Sequence, residues 1–147
     1  DENMSSDEAN VDSGRTSSNT FCGDDCYQSE INQAVMNRIE ALTGIPKENS
    51  EELQVLKYEV GEHYEEHHDA VWHWNELYCG NRILTVFLYL SDVEEGGETR
   101  LNALNIQVTP KKGMALIWPS VRDNDLSVLE DWAWHEAQPV IKGEKFA

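Results

Sequence analysis

The run at residues 83–90, Ile-Leu-Thr-Val-Phe-Leu-Tyr-Leu, limits the architecture more than any other stretch. It is nearly continuous in apolar, β-branched and aromatic side chains, the pattern of a central strand covered on both faces. A strand of that kind needs other layers around it, and the chain supplies short ones. Residues 53–60 alternate and stop at Gly61, and a strand at about 63–69 follows. A loop rich in aromatics covers 70–82. Residues 98–101, 105–108 and 114–118 read as further strands, the last two divided by a turn at 110–113. Residues 119–131 read as a polar loop with a helical turn, the stretch 132–141 carries His135, and a last strand starts at Glu144. One helix is predicted, over 26–43, where Ile31, Val35, Ile39 and Leu42 form a single apolar stripe. Asp24 and Asp25 offer its N-cap, and Gly44 followed by Pro46 ends it. Its expected role is to cover one face of a sheet. Many short strands and one helix predict a mainly β fold, a sandwich or jelly roll.

At 147 residues with 39% apolar content, the chain suits one domain with its own core. The net charge of −17 argues against nucleic acid, whose phosphates call for clustered Lys and Arg. Such a surface attracts basic peptides and is repelled by anionic membranes. No apolar run is long enough to span a bilayer, so this segment is expected to make no membrane contact. There is no signal peptide, and the start at Asp1 suggests a fragment of a longer chain. Residues 1–14 are acidic and almost free of apolar side chains, so they are expected to be disordered; the folded domain is expected over 15–147. The three cysteines leave pairings open: Cys22 with Cys26, or one of them with Cys79.

Chemistry concentrates in one place. His67 and Asp69 are two apart in a segment read as a strand, so both side chains face the same way. Two ligands hold a metal poorly, and His135 is the best distant third. Two histidines and one carboxylate on one face leave the other coordination positions open, the arrangement of non-haem Fe(II) oxygenases rather than of structural zinc. By the same alternation His68 faces away, and His63 and His73 are set aside as ligands. Alone, a His-x-Asp triplet is a common accident.

The surrounding motifs are not. Arg15-Thr16-Ser17, Leu42-Thr43-Gly44-Ile45-Pro46, Gln54-Val55-Leu56-Lys57-Tyr58-Glu59-Val60-Gly61 and His67-x-Asp69 follow one another in the order of a known pattern. So do Tyr89-Leu90-Ser91-Asp92-Val93-Glu94-Glu95-Gly96-Gly97-Glu98-Thr99, Pro110-Lys111-Lys112-Gly113 and Pro139-Val140-Ile141-Lys142-Gly143-Glu144-Lys145. Over residues 15–147 the chain resembles a prolyl 4-hydroxylase catalytic domain of the plant and algal type. The resemblance implies a double-stranded β-helix with the metal at the open end between two sheets. It also implies Fe(II), 2-oxoglutarate as cosubstrate, ascorbate, and hydroxylation of peptidyl proline with release of succinate and carbon dioxide. His67, Asp69 and His135 are then the iron ligands. Lys145, ten residues after His135, is the anchor for the far carboxylate of 2-oxoglutarate, with Lys142 as the competitor of opposite strand parity. Tyr58 is expected to hydrogen-bond the cosubstrate and Thr85 to face its pocket. Tyr64 and Arg82 match positions that contact a proline-containing peptide, although Arg82 could equally pair with a surface acid. Gly96 and Gly97 are read as a sharp structural turn. Relative to the family a strand and helix before Arg15 and a strand after Lys145 are missing, so the domain reads as truncated at both ends. The secretory pathway is the compartment the resemblance suggests. The same chemistry on another substrate, or a non-catalytic binding module, is the alternative. Nothing in the sequence indicates an oligomeric state.

Overall fold

The apolar run becomes a strand shorter and less covered than the sequence predicts. The computed structural model describes residues 14–147, so the expected disorder of the acidic N-terminal segment lies outside the described residues, Gly14 apart. Strands follow in the order β1 (Ser18–Phe21), β2 (Gln54–Tyr58), β3 (Tyr64–His67), β4 (Leu84–Leu88), β5 (Glu95–Gly96), β6 (Thr99–Leu101) and β7 (Ile106–Val108). They continue with β8 (Ala115–Pro119), β9 (Val121–Arg122), β10 (Asp125–Leu129), β11 (His135–Ala137), β12 (Val140–Lys142) and β13 (Lys145–Phe146). Two helices, α1 (Asp24–Gln28) and α2 (Glu30–Thr43), lie between β1 and β2.

One layer contains β1-β2-β13 and β4-β8, joined where the Leu90 amide donates to the Phe146 carbonyl at 2.9 Å. The other runs β3-β11-β6-β7 and continues into β12-β5 through amide bonds from Gly97 to Pro139 and from Gln138 to Glu98. Side chains from both layers meet in a cluster of Tyr58, Ala137 and Val140, flanked by Leu56, Tyr64 and Val93. This is the double-stranded β-helix expected. No helix among the described residues is long and apolar enough to cross a membrane.

Five expectations are corrected. Every residue of β4 is half-buried, rather than the strand being buried on both faces. Both of its faces border a cleft of about 860 Å³, which reaches from the two histidines past Thr85 and Phe87 to Leu84, Val86 and α2. The predicted helix is two helices, broken at Ser29, whose extended backbone (φ −61°, ψ 145°) cannot continue a helix. Ser29, not Asp24 or Asp25, caps α2, its hydroxyl accepting the Asn32 amide; Gly44 ends it at φ 72°, as predicted. The buried row on α2 is Asn32 and Met36, one residue round from the predicted stripe, while Ile31 and Leu42 are 79% and 68% exposed. The side-chain amides of Asn32 and Gln33 both donate to the Tyr27 carbonyl at 2.9 Å, and that tie to α1 sets the rotation. Finally, 119–131 is not a loop but the β9–β10 hairpin, turning at Asp123 and Asn124, with the helical turn only at Asp131–Ala133. The Asp-Asn pair is a turn signal, and Asp125 reinforces it by accepting from the Ser127 amide and hydroxyl.

Of the pairings the sequence left open, the structure has Cys22 with Cys26, leaving Cys79 free and exposed.

Candidate metal centre

β3 and β11 are antiparallel neighbours with His67 and His135 in direct register. The next register pair is Tyr64 with Ala137, so two residues of β3 oppose one of β11, a bulge. β3 ends at His67, and Asp69 lies two residues further on, in a bend rather than on a strand. Strand alternation therefore does not aim Asp69. Thr85 on β4 does, its hydroxyl donating to Asp69 Oδ2 at 2.5 Å.

The three side chains converge. Nε2 of His67 lies 3.8 Å and Nε2 of His135 3.7 Å from the same Asp69 Oδ1, and the three ligand atoms all lie within 4.8 Å of one another. Each ring is fixed from behind. Nδ1 of His67 bonds the Glu65 carbonyl at 2.8 Å, and Nδ1 of His135 the Ala133 carbonyl at 2.9 Å. An imidazole that gives its Nδ1–H to a carbonyl presents a bare Nε2 to a metal. Burial first, then the neighbouring His135, pushes the His67 imidazole down to about 4, which keeps it neutral and ready to coordinate. Tyr64 stacks on His67 with ring centroids 3.6 Å apart, and the Arg15 guanidinium lies 4.9 Å from the Tyr64 centroid. Trp118, the register partner of Thr85, meets His135 edge-on at 4.6 Å. Its indole N–H is buried without a partner among the described residues, a donor left for something polar in the cleft.

Two imidazole nitrogens and a carboxylate oxygen, with no thiolate in the group, suit a divalent first-row metal such as Fe(II). Among the described residues no fourth His, Cys, Asp or Glu joins the group, so the donor set fits a metal that also binds small molecules.

Lys145 is fully buried on β13, in register with Tyr58. Its ammonium donates to the Gly97 carbonyl at 2.8 Å and sits 5.0, 5.4 and 5.8 Å from the ring centroids of Tyr58, Phe87 and Tyr89. Among the described residues it forms no ion pair within 4.0 Å. Burial brings it down to about 8, with the charge of Glu98 opposing. A buried cation with no carboxylate in contact is left electrostatically unsatisfied. Lys142, by contrast, is exposed and paired with Glu94 at 2.6 Å.

Tyr58 is 2% exposed, and burial raises its phenol against the opposing influence of Ser17 and Arg15. Arg82 forks onto Glu51, with N···O distances of 2.5 and 2.8 Å, and lies over the Trp74 ring at 4.6 Å. Of the two readings the sequence offered for it, the acid pairing is the one present, at the edge of the same cleft. His68 is held outside the metal group by the Ala70 amide, which donates to its Nδ1 at 3.1 Å, by the Glu130 carbonyl at its Nε2 and by the edge of Trp134. His73 is exposed on the 3-10 turn Trp72–Glu76.

Sequence reasoning missed Phe87, Tyr89, Trp118, Glu51 and the Gly97 carbonyl. Alternation from Thr85 would have found Phe87 and Tyr89. Nothing local predicts which residue of β8 lies opposite Thr85.

A two-histidine, one-carboxylate group at the mouth of a double-stranded β-helix, with a buried lysine further in, defines a class of non-haem metal oxygenases. The chain belongs to the 2OG-Fe(II) oxygenase superfamily, whose sequence model matches residues 53–147. It is 40% identical to probable prolyl 4-hydroxylase 8 of Arabidopsis thaliana over 90% of this chain and 51% of that protein. It is 37% identical to the human prolyl 4-hydroxylase subunit alpha-1 over 82% of this chain and 23% of that one. The chain thus spans about half the length of the plant relatives it matches. Among solved structures it superposes on a viral collagen prolyl hydroxylase from Paramecium Bursaria Chlorella virus-1, in complex with 2OG. The TM-score is 0.75 at 27% identity, covering 90% of this chain and 76% of the other. A Pseudomonas putida prolyl-4-hydroxylase shares the fold, with a TM-score of 0.65 at 18% identity.

Proposed function

We propose that residues 15–147 are the catalytic unit of an Fe(II)- and 2-oxoglutarate-dependent dioxygenase that hydroxylates proline in a peptide or protein. The convergence of His67, Asp69 and His135, each ring fixed at Nδ1, carries this reading. The relatives named prolyl 4-hydroxylases support the choice of substrate.

When bound, iron and 2-oxoglutarate supply the dioxygen chemistry that hydroxylates an unactivated C–H bond, with succinate and carbon dioxide as by-products. The protein's part is binding, orientation and shielding. His67, Asp69 and His135 would hold the iron on one side and leave the cleft side open. Thr85, bonded to Asp69 Oδ2, keeps one carboxylate oxygen occupied and turns the other toward the histidines. Lys145 receives the far carboxylate of the cosubstrate, and Tyr58 beside it offers a phenol hydroxyl. The rings of Tyr58, Phe87 and Trp118 line the cleft, and their low polarity strengthens the interaction of charges beside them relative to solvent. Tyr64 and Arg82, nearer the rim, are the proposed contacts for the peptide. No general base is required of the protein.

The test is succinate formation by the purified chain with Fe(II), 2-oxoglutarate, ascorbate and a proline-rich peptide, followed by the peptide's mass. Succinate matched by a gain of one oxygen per turnover on proline is the expected result. Succinate without that gain points to another substrate. Absence of both turnover and 2-oxoglutarate binding leaves a non-catalytic module.

A further inference from the structure

The aromatic loop at 71–82, between β3 and β4, is built to hold one ring at the rim of the cleft. Asn81 clasps its base. The side-chain oxygen accepts the Val71 amide at 2.9 Å, and the side-chain amide donates to the Val71 carbonyl at 2.8 Å. One carboxamide thus stands in for a rung of β-ladder and closes the loop. The same amide reaches Asn75 Oδ1 at 3.1 Å, and Asn75 in turn donates to the Ser127 carbonyl on β10 at 2.8 Å. Trp74, the residue before that tie, is half-buried, with the Arg82 guanidinium 4.6 Å from its ring centroid. None of these closures uses the indole, and the ring takes no part in the core cluster of Tyr58, Ala137 and Val140. Trp74, Arg82, Glu51 and Tyr64 instead line the one cleft that holds the metal group. Tyr78, on the same loop, is fully exposed and lies off that cleft.

We propose that Trp74 determines specificity, its ring stacking on a second proline of the peptide whose target proline lies at the metal. The substrate class is then a proline-repeated segment in the polyproline II conformation, not a peptide with an isolated proline. The proposal rests on reading the protein as a peptidyl-proline hydroxylase. A polyproline II segment has no internal hydrogen bonds, so its carbonyls are free, and every third side chain projects to the same side. Aromatic-lined grooves recognise such segments, because a flat pyrrolidine packs on a flat ring and the stiff chain has little entropy left to lose. The rim supplies both halves of that recognition. Trp74 is the ring. Arg82 is the donor: Glu51 takes Nε and Nη2 at 2.5 and 2.8 Å and the Asp69 carbonyl lies 3.5 Å from Nη1. That leaves N–H groups of the guanidinium without a partner among the described residues and open to a peptide carbonyl. Glu51 also meets the guanidinium charge, so the platform does not call for an acidic side chain beside the proline.

Equilibrium binding of labelled peptides to protein saturated with 2-oxoglutarate and Mn(II), a redox-silent substitute for iron, tests this without turnover. The peptides are uncharged and of equal length. One has a single central proline, and in the others a second proline is moved outward one residue at a time. At one spacing the second proline is expected to lower the wild-type Kd about five- to thirtyfold, the range of an aromatic interface anchor. Trp74→Ala should remove that gain and still bind the single-proline peptide as wild type does. Trp74→Phe should keep most of the gain, and Tyr78→Ala all of it. If Trp74→Ala keeps the gain, the ring is only structural and the proposal fails. It fails equally if no spacing gives a gain in the wild type, or if glutamate in place of the second proline binds as tightly. If the wild type binds none of the peptides, the single-proline one included, the hydroxylase reading itself is wrong and the ring's role falls with it. Should Trp74→Ala not fold, Trp74→Leu, which keeps an apolar side chain but no flat ring, carries the test with the same loss expected.

Discussion

A histidine with a purely structural role normally has both ring nitrogens hydrogen-bonded, as half-buried His68 has with Ala70 and Glu130. His67 and His135 differ: each has one nitrogen bonded to a carbonyl and the other turned toward Asp69. That contrast predicts different outcomes on substitution. His135→Ala should abolish both turnover and Mn(II) binding, and His68→Ala should leave metal affinity within a few-fold; equal losses would remove the site assignment. Lys145→Ala should weaken 2-oxoglutarate binding by roughly 30-fold or more, the effect of removing one partner of a desolvated charge pair. Lys142→Ala, whose lysine pairs with Glu94 in solvent, should have little effect. The pH dependence follows from the same lysine. Its folded value of about 8 lies below its ordinary value of 10.5, so between those limits the unfolded chain binds more protons and stability rises with pH. Below pH 8 the ligand-free protein bears the cost of the buried charge, about 3 kcal/mol by linkage. A carboxylate ligand needs the ammonium, so binding above pH 8 must take up a proton. The 2-oxoglutarate Kd should be flat below that pH and rise toward tenfold per unit above it, a slope that Lys145→Met should abolish.

On the scale of elements, α2 offers the sharpest check, because its buried row differs by one residue from the apolar stripe. Met36→Ala should cost about 2–5 kcal/mol in denaturant unfolding, the usual range for emptying a buried site. Ile31→Ser should fall within about 0.5 kcal/mol, since that side chain is 79% exposed. The reverse ranking would mean that the helix is turned the other way. The same element shows what the sequence could and could not disclose. Helix existence and its stop at Gly44 were legible, because periodicity and a left-handed cap are local. The rotation was not, because it depends on Asn32 and Gln33 reaching back to Tyr27 across a break at Ser29. In the site, the grouping of His67, Asp69 and His135 and the burial of Lys145 rather than Lys142 were legible from motif order and parity. The reason Asp69 points inward was not, since it comes from Thr85 on another strand rather than from alternation. Trp118 and the Gly97 carbonyl were equally hidden: which strands become neighbours is a property of the closed fold, not of any window of residues.

For the molecule as a whole, metal and fold are linked. His67 and His135 come from different strands of one sheet and Asp69 is held by the other, so the ligand set exists only when the layers are closed. A metal that binds this set and not the unfolded chain stabilises it by about 2.7 kcal/mol at a hundredfold excess over Kd. Mn(II) should raise the thermal midpoint of the wild-type protein and leave that of His135→Ala unmoved. An equal rise in both would place the metal elsewhere, on the acidic surface. The position of β13 bears on how such a chain is made. β2 has β1 on one side from early on, but its other side is completed only by Lys145 and Phe146, with Ala147 closing on Leu56. On a ribosome adding 5–20 residues per second, roughly ninety residues of delay is roughly 4–18 s. Throughout that interval the nascent chain carries an open β2 edge, free to pair with a stranger. The strand that brings in the lysine is also the one that ends this exposure.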